Sequence, residues 1–503
     1  MQKKSDNTVS QKQPILPIRE NHAFSWRFIA TLTLMGCIAV EVLMTLLPTD
    51  FDTPILYWFF PVSLLLASQM YFNQRITRYI EIKLLLAFFA WGCVTVVLNY
   101  GRAQLTDSFL WFASTSTVIF LGFTLPYAFE KEGARRVLLL LAAVTFASVI
   151  ILCIASLIAV FAKDIAAKAP SIFEDIFIGQ GRLSIDDHPN RSAPAPALGV
   201  ILAGLLLAGV KKGWQRVLIV LGAVICFVPL ALTGSRTAIL GAGLAIAFEA
   251  ALTLRQVLRG KIHSILRVCI SLSVAVVVTV GFYFASALTQ QGCNTLLVRM
   301  EAVQTAPQQT ETPAMPSPDS ALAAEPATEA TAPAPATVPA EDVVITRDFS
   351  DADSFNGRTD IWRGVWTGIV DHPEIFLIGT GPTMIIQAML PYFPPSNPAG
   401  PFHNSFLDVL VAHGIPGLAL LVALFLLTAL AAIRLSLSRA ADQPLMVKFL
   451  PAVLILIMAE GMMEDFIFMG VSLNVLWVWL MISAGFVLRL AKKEPEQQQT
   501  NNS

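Results

Sequence analysis

A chain of 503 residues that is 55% hydrophobic and only 14% charged, with a mean hydropathy of +0.65, is excluded from the soluble globular class; soluble chains carry about a quarter of charged residues. Its net charge of −1 is uninformative by itself, and no nucleic-acid partner is expected. Apolar runs of about 17–25 residues, enough to cross a ~30 Å hydrocarbon core, recur along the whole length.

In chain order, residues 1–26 form a polar tail with no small-residue cleavage site ahead of the first span, so no cleavable signal peptide is expected. Spans are predicted at 27–47, 54–70, 82–98, 109–128 and 137–161, followed by a polar loop over 162–192. Four more cover 193–210, 217–233, 237–254 and 268–288. A long polar segment, 289–402, then separates these from the last three spans at 404–433, 449–463 and 466–488, and residues 489–503 form a C-terminal tail. The expected fold is an all-α polytopic membrane protein of about twelve transmembrane helices, with a large exterior loop between the ninth and tenth.

Lysine and arginine set the orientation. With the N-terminus in the cytoplasm, 24 of the 34 basic residues fall in inside segments, each of which holds at least three. Both termini are then cytoplasmic, and residues 162–192 and 289–402 lie outside. Of the six cysteines, five fall inside predicted spans and only Cys293 lies outside. Neither a structural disulfide nor a metal cluster is expected from that distribution.

The exterior segment has two characters. From about 301 to 345 it is rich in Ala, Pro, Thr and Glu and reads as a disordered tether. Beyond it, Gly357-Arg-Thr-Asp-Ile-Trp-Arg-Gly-Val-Trp-Thr-Gly-Ile-Val370 places Ile361, Trp362, Val365, Trp366 and Ile369 on one helical face. Two tryptophans on a helix too short to span suggest an element over 357–371 lying in the membrane interface. The tenth span exceeds one crossing, and Gly414 and Pro416 predict a break that leaves an interfacial piece and a true span. His413 at that break reads as a structural polar contact. Glu41, near the middle of the first span, reads as a helix-to-helix hydrogen-bonding residue.

Ten basic residues remain outside, eight of them arginine. Arg236 lies in Thr233-Gly-Ser-Arg236, a turn so short that its charge sits at the membrane surface, with Ser235 as a plausible N-cap. Backbone amides at a helix N-terminus beside a guanidinium make an anion site. Arg358 opens the amphipathic helix, and Arg182 and Arg191 flank the entry to the sixth span. His403 begins an outside-to-inside helix with Asn404 or Ser405 as cap, where a neutral imidazole is a proton acceptor. Three distant elements thus bring Arg236, Arg358 and His403 to one exterior plane. Cation clamps beside a base suit transfer from a lipid diphosphate donor: the arginines stabilise charge on the departing diphosphate and the base activates an acceptor hydroxyl. Nothing resembles a metal-binding acidic motif, and Asp186 and Asp187 are merely adjacent in a loop.

These residues resemble the O-antigen ligase family, within the superfamily of O-antigen polymerases and ligases. That family's motif of His-Asn, nine residues, Gly, two residues, Gly is matched by His403-Asn404, Gly414 and Gly417. The family arginine after the seventh span resembles Arg236, and the one before the interfacial helix resembles Arg358. The resemblance implies a GT-C-type glycosyltransferase of the bacterial inner membrane with a periplasmic active site. It would take O-antigen from undecaprenyl diphosphate and join it to lipid A–core, with His403 as base, no metal or other cofactor, and Arg182, Arg191 and Asn404 as secondary substrate contacts. The 301–345 insert is longer than the family needs. Two related alternatives share the donor: an O-antigen polymerase, with a second lipid-linked glycan as acceptor, and a protein O-oligosaccharyltransferase. A flippase or transporter of lipid-linked glycans is a third alternative, of another class, and such proteins place ionisable groups at mid-membrane.

Overall fold

The computed structural model describes residues 80–99, 131–173, 176–179, 182–185, 189–305, 357–394, 402–437 and 446–464, together with isolated positions elsewhere. The first, second, fourth and twelfth expected spans fall largely outside the described residues, as do both tails, Glu41, Asp186, Asp187 and nearly all of the 301–345 stretch.

Six helices among the described residues are long and apolar enough to cross a membrane. They are α1 (Ile80–Leu98), α2 (Lys131–Phe161), α4 (Gly213–Thr233), α5 (Arg236–Val257), α6 (Ser264–Thr305) and α9 (Ser405–Leu437). Two shorter apolar helices, α3 (Pro194–Gly209) and α10 (Met446–Gly461), pack among them, and two helices, α7 (Arg358–Asp371) and α8 (Pro373–Ile378), precede α9. The chain is therefore a mostly helical, multi-pass membrane protein.

The fold is not entirely α. Within the 162–192 loop, β1 (Ile176–Gly179) pairs antiparallel with β2 (Arg182–Ile185), with Ile176 opposite Ile185. Ile176, Leu183 and Ile185 are buried against the main helical core. Two four-residue strands are too short for periodicity to announce, which is why the all-α expectation missed them.

The ninth expected span, 268–288, is the middle of a longer helix. At 42 residues α6 extends roughly 63 Å, about twice the hydrocarbon thickness. The polar segment after the span therefore begins helically and continues to Thr305. No proline interrupts it before Pro307, and Gly292 is its one glycine after Gly281.

Two hydrophobic clusters organise the interior. The larger joins α1 through α5 with α9 and α10, and includes the buried Trp477 and Trp479. The smaller gathers Ile361, Val365 and Ile369 of α7 with Ile375, Met389, Phe402 and Val411, and so seats α7 and α8 on the first turns of α9. Burial of each such aliphatic side chain contributes roughly 1.5–3 kcal/mol. Gly364 and Gly368 let α7 approach Tyr392 closely. The buried stripe differs from the expected face at one position: Trp366 is exposed, and Trp362 sits at the edge of the contact.

Helix α9 breaks where its sequence says it should. Gly414 has φ 63° and ψ −172°, a region open essentially to glycine alone, and Pro416 follows. The carbonyls of Val411 and Ala412 lose helical partners there. The Thr380 and Gly381 N–H groups replace them, donating at 2.8 and 3.0 Å. On the other side, His413 is fully buried with its ring edge-on to Phe88 and Phe112. Its Nδ1 lies 3.0 Å from Thr95 Oγ1, and its carbonyl accepts from Trp91 Nε1. The histidine joins α1 to the break, a structural role.

Candidate functional site

The site forms around a residue to which the sequence reading gave no role. Glu464, in the turn after α10, is buried and accepts a hydrogen bond from Arg358 Nη2 at 2.9 Å through Oε1. Its other oxygen, Oε2, stands 3.6 Å from His403 Nδ1, beyond hydrogen-bond length but inside ion-pair range once the ring is protonated. The backbone of Glu464 is held as firmly. Its N–H donates to the Glu460 carbonyl at 2.7 Å, and its own carbonyl accepts from Ser405 Oγ at 2.8 Å. One carboxylate therefore joins Arg358 and His403, which lie 45 residues apart in the chain.

His403 is the one non-glycine residue with positive φ among the described residues, at 52°. That conformation costs an ordinary residue about 1–2 kcal/mol, so the surroundings must impose it. They do so from both sides. Phe402 is buried and its carbonyl accepts from Trp362 Nε1 at 2.8 Å. Asn404 Oδ1 accepts from the N–H groups of Phe406 and Leu407 at 3.0 and 3.2 Å, an N-cap that fixes the start of α9. Helix α7 thus serves the site twice from one face: Arg358 reaches Glu464, and Trp362, one turn on, pins the backbone beside His403.

Tyr392, packed behind α7, has its phenol pushed above its ordinary value by burial, with the Asp371 carboxylate adding to the rise. It remains a neutral group on that contact.

Arg236 opens α5 after a left-handed Gly234 (φ 57°) that ends α4. Ser235 occupies the N-cap position with extended backbone but makes no side-chain cap bond, which corrects the expected capping role. Arg182 bridges to this turn. Its Nε donates to the Thr233 carbonyl at 2.6 Å and its Nη2 to Asn190 Oδ1 at 2.7 Å. That carbonyl is one of those a helix C-terminus leaves without a partner. Arg182 therefore acts as a strut that sets the Arg236 turn. The side chain of Arg191 and the whole of His188 lie outside the described residues.

The two groupings share one end of the bundle. Gly241 of α5 packs on Leu456 and Ala459 of α10, while Ile455 borders a groove that opens at Leu244, so the two helices run antiparallel. Arg236 and Glu464 each stand five residues past that contact, about 7.5 Å along the axis, on the same side. Among the described residues no group of three or more His, Cys, Asp or Glu side chains gathers as metal ligands would.

Fold and site together define a multi-pass membrane protein with guanidinium, imidazole and carboxylate groups collected at one end of its helices. Residues 221–422 match the family model described as O-Antigen ligase. The matched stretch runs from the middle of α4 into α9, and it contains Arg236, Arg358, His403 and Asn404. Glu464 and Arg182 lie beyond it. No curated protein is significantly similar to the chain.

Proposed function

We propose that the protein is an O-antigen ligase, a GT-C-type glycosyltransferase of the bacterial inner membrane. In this reading it transfers O-antigen polysaccharide from undecaprenyl diphosphate to lipid A–core on the periplasmic face. The single observation that carries the chemistry is the Arg358–Glu464–His403 chain, at the same end of the bundle as the Arg236 turn.

The reaction joins an acceptor hydroxyl oxygen to the anomeric carbon as the bond from that carbon to the diphosphate breaks. His403 takes the hydroxyl proton as the new bond forms. Glu464 beside Nδ1 orients the ring and stabilises the imidazolium, directing Nε2 toward the acceptor. Arg236, at the positive end of α5, stabilises the charge that develops on the leaving diphosphate. Arg358 holds Glu464 in place and adds positive potential at the same plane. Arg182 acts through the Arg236 turn, and Asn404 through the cap of α9. The clamps for the diphosphate are guanidinium groups, so no metal enters this reading.

Reconstitution tests it. The purified protein is supplied with undecaprenyl diphosphate-linked glycan and, in separate vesicles, lipid A–core, a second lipid-linked glycan, or a pilin-like protein. The expected product is glycosylated lipid A–core, with His403→Ala lowering the rate by about 10²–10⁴-fold. Product on the lipid-linked glycan alone would make the protein a polymerase, and product on the protein alone an oligosaccharyltransferase. Transfer that survives both His403→Ala and Arg236→Ala would instead favour a transporter.

A further inference from the structure

Helices α5 and α6 enclose a groove of about 710 Å³ that the transfer chemistry does not use. Its lining begins at Leu244, two turns below Arg236, and ends at Arg255, so it occupies the half of the bundle away from the site. Leu244 to Arg255 spans about 16 Å along the axis, half of a ~30 Å hydrocarbon core. The walls are apolar for most of that length, with Phe248, Ala251, Val276 and Val280 facing one another and Ile455 of α10 at the edge.

The far mouth is different. Arg255 lines it and has neither ion pair nor hydrogen bond from its side chain among the described residues. On the facing helix the lining begins at Val268, and Arg267 just ahead of it has a buried Nε likewise lacking a hydrogen-bond partner. One turn further into the groove, Ser271 is 6% exposed and its hydroxyl makes no hydrogen bond. The connection between the two helices adds Arg259 and Lys261, and the chain holds no Asp or Glu from residue 250 to 300.

We infer that this groove holds an acyl chain of an anionic phospholipid, with the lipid phosphate at Arg255 and Arg267 and an ester carbonyl at Ser271. The depths fit a glycerolipid. The step from Arg267 to Ser271 is about 6 Å, the offset that puts a hydroxyl donor below a phosphate-binding guanidinium. A buried hydroxyl without a partner costs about 1–3 kcal/mol, which an ester acceptor removes. A zwitterionic headgroup would set its ammonium among four cationic side chains. A prenyl phosphate offers its phosphate to the arginines but has no ester carbonyl to accept from Ser271. The inference requires the membrane-spanning reading of α5 and α6 and is independent of the transfer reaction.

Native mass spectrometry of the full-length protein in detergent tests it, with dioleoyl-phosphatidylglycerol and dioleoyl-phosphatidylcholine as the added lipids. The expected result is preferential retention of phosphatidylglycerol, lowered about tenfold by Arg255→Gln and partly restored by Arg255→Lys. Ala275→Trp, which fills the groove, also abolishes retention. His403→Ala and Arg236→Gln retain the lipid as the wild type does, separating this site from the catalytic one. Equal retention of the two lipids by the wild type overturns the proposal without recourse to any variant. So does displacement of phosphatidylglycerol by undecaprenyl phosphate, which would assign the groove to a prenyl chain.

Discussion

Glu464 carries two jobs with its two oxygens, and the jobs are separable by substitution. With side chains 9% and 11% exposed, Arg358 and Glu464 form a buried pair. Deleting one member of such a pair leaves the other charge uncompensated at a cost of about 3–5 kcal/mol. Glu464→Ala is therefore expected to lower the melting temperature markedly in detergent. Glu464→Gln keeps an oxygen to accept from Arg358 but loses the negative charge beside His403. It should lose less stability than Glu464→Ala, because the hydrogen bond survives although Arg358 loses its counter-charge, while transfer falls by about 10²-fold, the lower range for loss of general-base assistance. Calorimetry and a transfer assay on the two variants give both numbers, and a fully active Glu464→Gln would remove the carboxylate from the mechanism. Glu464 itself escaped the sequence reading because it lies 61 residues from His403 and 106 from Arg358, beside no motif.

At the level of elements, the break in α9 positions His403, the proposed base. The nine residues from Ser405 to His413 form a short helix whose far end is clasped by Thr380 and Gly381, so the cap at Asn404 and the strained His403 are held from below. An alanine at Gly414 would meet the Leu377 backbone at 2.7 Å, besides adopting a conformation that costs about 1–3 kcal/mol. Gly414→Ala should therefore lower stability by at least that range and reduce transfer more than substrate binding, because the proposed donor contacts at Arg236 are untouched. A variant with wild-type melting temperature and activity would show that the break has no bearing on the site. Trp362 belongs to the same scale. Its place on an amphipathic helix suggested a membrane anchor, whereas its indole is a strut to the Phe402 carbonyl. Periodicity picks out Ile361, Val365 and Ile369, which are buried, but leaves Trp366 exposed, and a helical face names no neighbour.

For the whole molecule, the arrangement of the helices sets Arg236 and His403 at one end and Arg255 at the other. Single cysteines introduced at 255 and 403 into a cysteine-free background should react with a membrane-impermeant thiol reagent from opposite faces of the membrane. Labelling of residue 403 from the cytoplasmic face would contradict the proposed periplasmic site. Transfer in the presence of a strong chelator should proceed at the unchelated rate if, as proposed, guanidinium groups clamp the diphosphate. A collapse of activity that divalent cation restores would call for a metal in the mechanism.

The spans that fall within the described residues, the helix from Arg358, the break at Gly414 and the motif around His403 were readable from the chain because each depends on neighbours a few residues apart. Hydrophobic periodicity, a proline's missing N–H and a glycine's access to positive φ act over one or two turns, and a single sequence contains them in full. Only the tertiary structure decided that Glu464 joins Arg358 to His403, that Arg182 braces the Arg236 turn, and that a β-hairpin sits in the loop ahead of α3. Those outcomes depend on how helices pack side by side, and packing brings together side chains whose separation along the chain carries no trace of the contact.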